Sequence, residues 1–130
     1  MGAGYRWLER EAVLAFHDVS LARFGGSPGL RDEGLLESAL ARPKMLAHYE
    51  PATGPHRLAA CYAVAIAKNH PFVDGNKRTA FLAAYVFLRE NGWRLTAAQA
   101  DVVVRMLGVA SGTVDEERLA EWFERNSVEQ

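Results

Sequence analysis

The sequence lacks the features that mark secreted, membrane-spanning and nucleic-acid-binding proteins. Its one cysteine, Cys61, excludes an internal disulfide and fits a reducing compartment. No run of about 18 apolar residues is present, and residues 1–10 lack the apolar core of a signal peptide. Basic and acidic residues nearly balance, 15 against 16, for a formal net charge of -1, which argues against a general nucleic-acid binder. We therefore expect a small soluble protein of the cytoplasm.

The composition that is present is that of an ordinary globular domain. The chain has 130 residues, of which 49% are hydrophobic and 24% are charged, and a chain of this size can bury its own core. Apolar residues recur at helical spacing between glycine and proline breaks. We predict one domain over residues 1–130 with an all-α fold, a compact bundle of helices at 7–24, 32–42, 56–69, 77–90, 96–107 and 113–125.

The ends of these helices are marked by capping residues and by proline. Asp32 is placed to cap the second helix, and Pro43 is expected to end it, because the residue before a proline is driven out of the helical conformation. Thr96 and Thr113 each stand three residues before a Gln or Glu, the spacing of a capping box, and are expected to open the last two helices. The prolines and glycine within residues 44–55 favour a loop or a short hairpin flap.

Residues 70–78 combine more kinds of polar chemistry than a surface turn requires. Gly75 permits backbone angles that other residues resist, and Asn76 is favoured at a helix start. The first N–H groups of that helix have no partner within it and, with the helix dipole, form an anion site. Lys77 and Arg78 add positive charge there. We predict a phosphate cradle suited to a triphosphate at Gly75, Asn76, Lys77 and Arg78, distinct from a Walker P-loop, whose pattern is missing.

Two further side chains place reactive chemistry beside this cradle. Asp74 can hold Mg²⁺, which usually takes one or two carboxylates together with substrate phosphates and water. His70 ends the preceding helix, and an imidazole suits proton abstraction from a hydroxyl near neutral pH. Phe72 is expected to point into the core. A base, a carboxylate and a phosphate cradle together predict transfer of a phosphorus centre to a hydroxyl.

The remaining candidate residues have simpler interpretations. Cys61 lies on an apolar helical stripe and is interpreted as a core residue rather than a nucleophile. His17, His48 and His56 show no partner pattern and are assigned no role. The three tryptophans are interpreted as packing residues rather than as a ligand box.

Residues 70–78 also resemble the signature of the Fic/Doc superfamily, His-x-Phe-x-Asp/Glu-Gly-Asn-Gly/Lys-Arg, with every fixed position matched and Lys77 as in the Doc branch. Similarity at 24–32, 78–80 and 87–92 extends the resemblance to roughly residues 12–125. It implies a helical bundle and a toxin of a toxin–antitoxin system. Such a toxin transfers the terminal phosphate of ATP to a threonine of elongation factor Tu and so halts translation. The resemblance implies His70 as the base, Asp74 as the Mg²⁺ ligand, Asn76, Lys77 and Arg78 as phosphate binders, and Gly75 as the residue that shapes the turn.

Two positions differ from the relatives that transfer AMP, which remains the alternative reaction. Those relatives have glycine in place of Lys77, and many carry a second arginine where this chain has Phe81. Many relatives also carry an inhibitory helix with the pattern Ser/Thr-x-x-x-Glu-Gly/Asn, which Arg118 breaks here after Thr113 and Glu117. The resemblance therefore implies control by a small Phd-like antitoxin, whose disordered tail folds on binding.

Two other classes of function stay open from the sequence. Arg42 and His48 have the Arg-x(4–6)-His spacing of helical ribonuclease toxins, which predicts RNA cleavage. A non-catalytic module that only binds an antitoxin would keep the fold and would tolerate changes at Asp74 and Arg78.

Overall fold

The computed structural model describes residues 4–130, which are mostly helical. The elements are α1 (Arg10–Phe24), α2 (Glu33–Tyr49), α3 (Pro55–Asn69), α4 (Asn76–Glu90), β1 (Trp93–Leu95), α5 (Gln99–Ser111), α6 (Glu116–Arg125) and β2 (Ser127–Glu129). The two strands pair antiparallel, with Trp93 opposite Glu129, and form the only sheet in this range. The predicted all-α bundle is confirmed. Within residues 4–130, each helix is too short or too polar to cross a membrane.

Helix α3 lies at the centre of the bundle because its sequence is apolar on every side. Every residue from Leu58 to Ala67 is buried, and the helix contacts α2, α4, α5 and α6. Tyr62 and Ile66 fill the space between helices, while the alanines around them let the neighbours approach closely. Burying a side chain of this size contributes about 1.5–3 kcal/mol. Helix α3 therefore supplies much of the hydrophobic stability of the bundle.

The prediction that Pro43 ends the second helix is wrong. Helix α2 continues through Pro43 to Tyr49, so the hairpin flap predicted near residues 44–55 does not form. Proline inside a helix loses a hydrogen bond and costs roughly 3 kcal/mol. Here the Pro43 ring is buried and Ala47 beyond it joins the core, so burial against α3 outweighs the local preference. Only residues 50–54, which we call the α2–α3 connection, are non-helical between the two helices.

The three predicted helix caps divide into one confirmed and two wrong. The Asp32 carboxylate accepts a hydrogen bond from the Leu35 N–H at 3.0 Å, as predicted. Thr96 donates to the Asn126 carbonyl instead of capping α5, which begins without a side-chain cap. Asp115, rather than Thr113, caps α6 and accepts from the Arg118 N–H at 2.8 Å. A carboxylate at the residue directly before a helix is as good a cap as a hydroxyl.

Packing of α1 against α4 brings three chain segments together. Helix α1 ends at Phe24, because Gly25 adopts a φ of 80° that continues no right-handed helix. Residues 25–32, which we call the glycine-rich loop, then cross the end of α3. Residues 70–75, the α3–α4 connection, lie against this loop and lead into α4. The end of α1 and the glycine-rich loop therefore lie against residues 70–78, which comprise the α3–α4 connection and the start of α4.

Candidate active site

The glycine-rich loop holds the α3–α4 connection through backbone hydrogen bonds. Leu30 forms an isolated antiparallel bridge with Phe72. The Pro71 carbonyl accepts from the N–H groups of Arg31 at 2.6 Å and Asp32 at 3.0 Å. The Val73 N–H donates to the Gly29 carbonyl at 3.0 Å. Two segments about 40 residues apart thus form one layer of backbone at the mouth of the site.

Arg31 fixes the end of α3, where His70 lies. Its Nε donates to the His70 carbonyl at 2.7 Å, and its Nη2 donates to the Asn69 carbonyl at 3.0 Å. A cation that binds the last carbonyls of a helix also complements the helix dipole. His70 itself takes the left-handed conformation, with φ 52°, and is exposed. Its side chain makes no hydrogen bond to any residue of 4–130 and is therefore free to meet a substrate.

Asn76 closes the turn with both ends of its side-chain amide. Its Oδ1 accepts from the Phe72 N–H at 3.0 Å, and its Nδ2 donates to the Phe72 carbonyl at 2.9 Å. The side chain is buried, as is Phe72, which points into the core as predicted. The amide of Asn76 is thus turned inward, toward Phe72. The backbone N–H of Asn76, rather than its side chain, is therefore the group that suits a phosphate at this position.

Asp74 presents an exposed carboxylate whose two oxygens accept backbone hydrogen bonds. Ser27 N–H donates to Oδ2 at 3.1 Å, and Gly75 N–H donates to Oδ1 at 2.8 Å. These bonds, followed by the nearby charges of Arg78 and Lys77, hold the pKa of Asp74 below its usual range. The glycine-rich loop can approach Asp74 closely because Gly26, whose φ is 121°, has no Cβ. A Cβ at this position would lie 2.9 Å from Asp74 Oδ2. Asp74 is therefore ionised and fixed in place.

The start of α4 gathers positive charge around free N–H groups. Gly75 adopts a left-handed φ of 77°, and no described side chain caps the helix. Lys77 is exposed. Arg78 is half-buried; its Nε donates to Ser20 Oγ at 3.1 Å and its Nη2 donates to the Gly25 carbonyl at 3.0 Å. A helix start with free N–H groups and two cations is a suitable site for a phosphate chain.

The single carboxylate at the site suits an Mg²⁺ ion that is also bound by nucleotide phosphates, rather than a metal ion held by protein ligands alone. Residues 4–130 contain no group of three or more His, Cys, Asp or Glu side chains arranged to hold a metal ion. Mg²⁺ is commonly bound through one or two carboxylates, with phosphates and waters completing its six positions. A carboxylate has about four lone-pair sites, so two backbone hydrogen bonds leave Asp74 able to coordinate. The residues present fit this mode of binding.

Two buried residues of α1 also reach the site, and the pattern of residues did not single them out. His17 Nε2 lies 2.8 Å from the Asp74 carbonyl oxygen, and its ring stacks on Phe72 at 3.9 Å. Ser20 accepts the hydrogen bond from Arg78. His17 therefore has partners in residues 70–78 that the sequence did not reveal. The available signal was the spacing of two polar residues on the buried face of α1, which does not reveal partners more than 50 residues away.

The other sequence candidates lie elsewhere in the bundle. Cys61 is buried as predicted, and burial raises the pKa of its thiol to about 12, which disfavours a reactive thiolate. Arg42 and His48 both lie on α2, six residues apart, which separates them by about 120° around the helix axis. Arg42 also forms an ion pair with Glu116 at 3.7 Å. This geometry does not bring the ribonuclease-like pair together.

Comparison with known proteins finds similarity across most of the chain. A family model described as the Fic/DOC family matches residues 7–88. "Protein kinase doc" of Escherichia phage P1 is 36% identical over 122 residues, which cover 92% of this chain and 94% of the phage protein. "Toxin Doc" of Mycolicibacterium smegmatis (strain ATCC 700084 / mc(2)155) is 44% identical over 94 residues, 70% of this chain and 68% of that toxin.

Proposed function

The chain belongs to the Fic/Doc family, and from that premise we propose that it is the toxin of a toxin–antitoxin system. Its reaction is transfer of the terminal phosphate of ATP to a hydroxyl of a protein. One observation carries the proposal: residues 70–78 present the free imidazole of His70, the ionised carboxylate of Asp74 and the uncapped, cationic start of α4 on one short segment.

The phosphates of ATP bind at the start of α4. The N–H groups of the first turn and the side chains of Lys77 and Arg78 supply donors and positive charge. Gly75 shapes the turn that exposes these groups, and Asn76 contributes through its backbone N–H while its amide holds the turn closed. Asp74 would hold Mg²⁺, which would supply positive charge to the phosphate chain when bound.

His70 activates the acceptor hydroxyl. Its imidazole takes the hydroxyl proton as the acceptor oxygen bonds to the terminal phosphorus of ATP. The bond from that phosphorus to the bridging oxygen breaks, and its electron pair leaves with ADP. The products are ADP, a phosphorylated protein and a proton on His70, which water then removes.

Phosphate transfer is favoured over AMP transfer by two side chains. Lys77 is exposed at the first turn of α4 and adds a long cationic side chain where the AMP-transferring relatives have bare backbone. Phe81 packs against the core with its ring 6.2 Å from Tyr85, so this position supplies no second cation. The name of the phage relative, "Protein kinase doc", supports the same reaction.

The acceptor that we propose is a threonine of elongation factor Tu, whose phosphorylation would stop translation. The inhibitor that we propose is a small Phd-like antitoxin with a tail that folds on binding. Both come from the resemblance to the Doc branch and from the toxin name carried by the second relative.

The test is the mass of elongation factor Tu after incubation with the protein, ATP and Mg²⁺. We expect the target to gain one phosphate with the wild type and nothing with His70→Ala, while His48→Ala, a change at an exposed histidine of α2, stays active. Gain of an AMP group would establish AMP transfer instead. An unmodified target with cleaved RNA, lost in His48→Ala, would contradict the proposal.

A further inference from the structure

Buried polar side chains are concentrated where α1 meets α4. Among residues 4–130, the buried polar side chains are His17, Ser20, His56, Asn76 and Thr79, and all but His56 lie at this junction. Burying a polar group is unfavourable unless it is hydrogen-bonded. Three of the four side chains at the junction form a hydrogen bond with a residue of 70–78: His17 with Asp74, Asn76 with Phe72 and Ser20 with Arg78.

The contacts from α1 come from one face of that helix. His17, Ser20 and Phe24 are three and four residues apart, which aligns them along a helix. His17 contacts Asp74, Ser20 contacts Arg78, and the Phe24 ring centroid lies 5.2 Å from the Arg78 guanidinium carbon. A single rigid element therefore supports both the carboxylate and the cation of the site.

His17 sets the orientation of the Asp74–Gly75 peptide. A carbonyl oxygen can only accept, so the 2.8 Å contact requires the proton on His17 Nε2. The carbonyl and the N–H of a trans peptide point in opposite directions, so anchoring the Asp74 carbonyl against buried His17 turns the Gly75 N–H away from α1. That N–H donates to Asp74 Oδ1 at 2.8 Å and fixes the carboxylate.

Ser20 sets the orientation of the Arg78 guanidinium in a similar way. Guanidinium has five N–H donors in a rigid plane. One donates to Ser20 and one to the Gly25 carbonyl, and within residues 4–130 the other three have no partner. The two bonds thus hold the plane while leaving donors for a phosphate, and Phe24 covers one side of it.

We infer that His17 and Ser20 are positioning residues of this site, which hold Asp74 and Arg78 in the geometry that binds Mg²⁺ and the phosphates of a nucleotide. The inference rests on the proposed function. It adds two residues of α1, outside residues 70–78, to those that determine nucleotide affinity. Both act through another residue and neither needs to touch the nucleotide.

Paired variants distinguish the positioning of Asp74 and Arg78 from a general effect on the stability of the fold. His17→Phe keeps an aromatic ring against Phe72 but removes the N–H donor, whereas His17→Gln restores an N–H donor at a similar distance from the backbone. Ser20→Ala removes only the hydroxyl. Val109→Ala, which truncates a fully buried valine of α5, is the matched control for loss of stability.

The measurement is the affinity of each full-length variant for ATP with Mg²⁺ by titration calorimetry, beside unfolding by denaturant. We expect His17→Phe and Ser20→Ala to bind about fivefold to tenfold more weakly, the effect of losing one hydrogen bond. His17→Gln should recover most of the affinity, and Val109→Ala should bind like the wild type despite lower stability. The Arg78 Nε–H proton should exchange with water about tenfold faster in Ser20→Ala than in the wild type. Its exchange rate should be unchanged in His17→Phe.

The outcomes distinguish the inference from the function on which it rests. If the wild type binds ATP and Mg²⁺ while His17→Phe and Ser20→Ala bind equally well, positioning by α1 is overturned and the proposed function stands. If His17→Gln is as weak as His17→Phe, the donated hydrogen bond is not what matters and the role of His17 is overturned. If the wild type itself binds no nucleotide, the proposed function fails and the inference fails with it.

Discussion

Two connections of similar length flank α3, and they are held in very different ways. The α2–α3 connection, residues 50–54, is closed mainly by local bonds: the Thr53 N–H and hydroxyl both donate to the Glu50 carbonyl. Its long-range hydrogen bond comes from the Tyr5 hydroxyl to the Thr53 carbonyl at 3.0 Å. This turn needs only to reverse the chain between α2 and α3.

The α3–α4 connection, residues 70–75, is held from outside its own sequence. Side chains or backbone of α1, the glycine-rich loop and α4 form hydrogen bonds to all six of its residues. His70 adopts a left-handed backbone there, although it is not glycine, a conformation that costs an ordinary residue about 1–2 kcal/mol. Bonds from other segments that hold such a backbone are typical of a functional site, where a required geometry is kept although it lowers stability.

The largest difference between the two connections is expected at His70. His70→Asn removes the imidazole but keeps a residue that tolerates the left-handed conformation. We expect phosphate transfer to fall by about 10²- to 10⁴-fold, the usual contribution of a general base, with an unchanged denaturation midpoint. Kinetics of phosphate transfer and denaturant unfolding measure the two quantities. Retention of full activity would show that the connection is shaped for something other than base catalysis.

The next effect is on stability and contrasts the two connections directly. Asn76→Ala would leave the buried N–H and carbonyl of Phe72 without partners, and we expect the free energy of unfolding to fall by about 2–4 kcal/mol. Thr53→Ala removes an exposed hydrogen bond of the α2–α3 connection, and we expect a loss of about 0.5 kcal/mol. Denaturant unfolding of both variants gives the two values. Equal losses would contradict the view that only the α3–α4 connection is held by buried polar bonds.

The smallest effect is a local pH dependence at Asp74. Because its pKa in the folded protein is lower than in the unfolded chain, its contacts stabilise the fold fully above about pH 4 and weaken as the pH falls through the lowered value. The Ser27 amide resonance, which reports the bond to Asp74 Oδ2, should therefore shift only below that pH. Asp74→Asn should abolish the shift. An inflection well above pH 4 would mean that the Ser27 and Gly75 bonds do not favour the charged form.

The sequence predicted the helices where local pattern and burial agree. The apolar run of α3 and the glycines after α1 mark those elements without reference to partners. Pro43 was misread because its local preference opposes burial against α3, and burial is decided by the tertiary structure. Thr113 was misread because the better cap, Asp115, lies two residues later.

The candidate site was foreseen only in the part that is contiguous in sequence. The predicted roles of His70, Asp74, Lys77 and Arg78 remain predictions, but residues 70–78 carry enough varied chemistry to be noticed together. The residues that hold that segment in place lie far from it in the sequence. His17 is 57 residues from Asp74 and Ser20 is 58 from Arg78, and no local periodicity connects residues at such separations. The inward bonds of the Asn76 amide to Phe72 could not be predicted from the sequence, because they depend on the fold of the turn. The phosphate-binding role of Asn76 stays a prediction.

A map of amide chemical shifts on addition of ATP and Mg²⁺ would show directly whether the α3–α4 connection and the start of α4 bind the nucleotide. We expect the largest shifts at Asp74, Gly75, Lys77 and Arg78 and none at residues 50–54. Shifts centred on residues 50–54, or no shift in residues 70–78 at saturating nucleotide, would show that the nucleotide binds elsewhere.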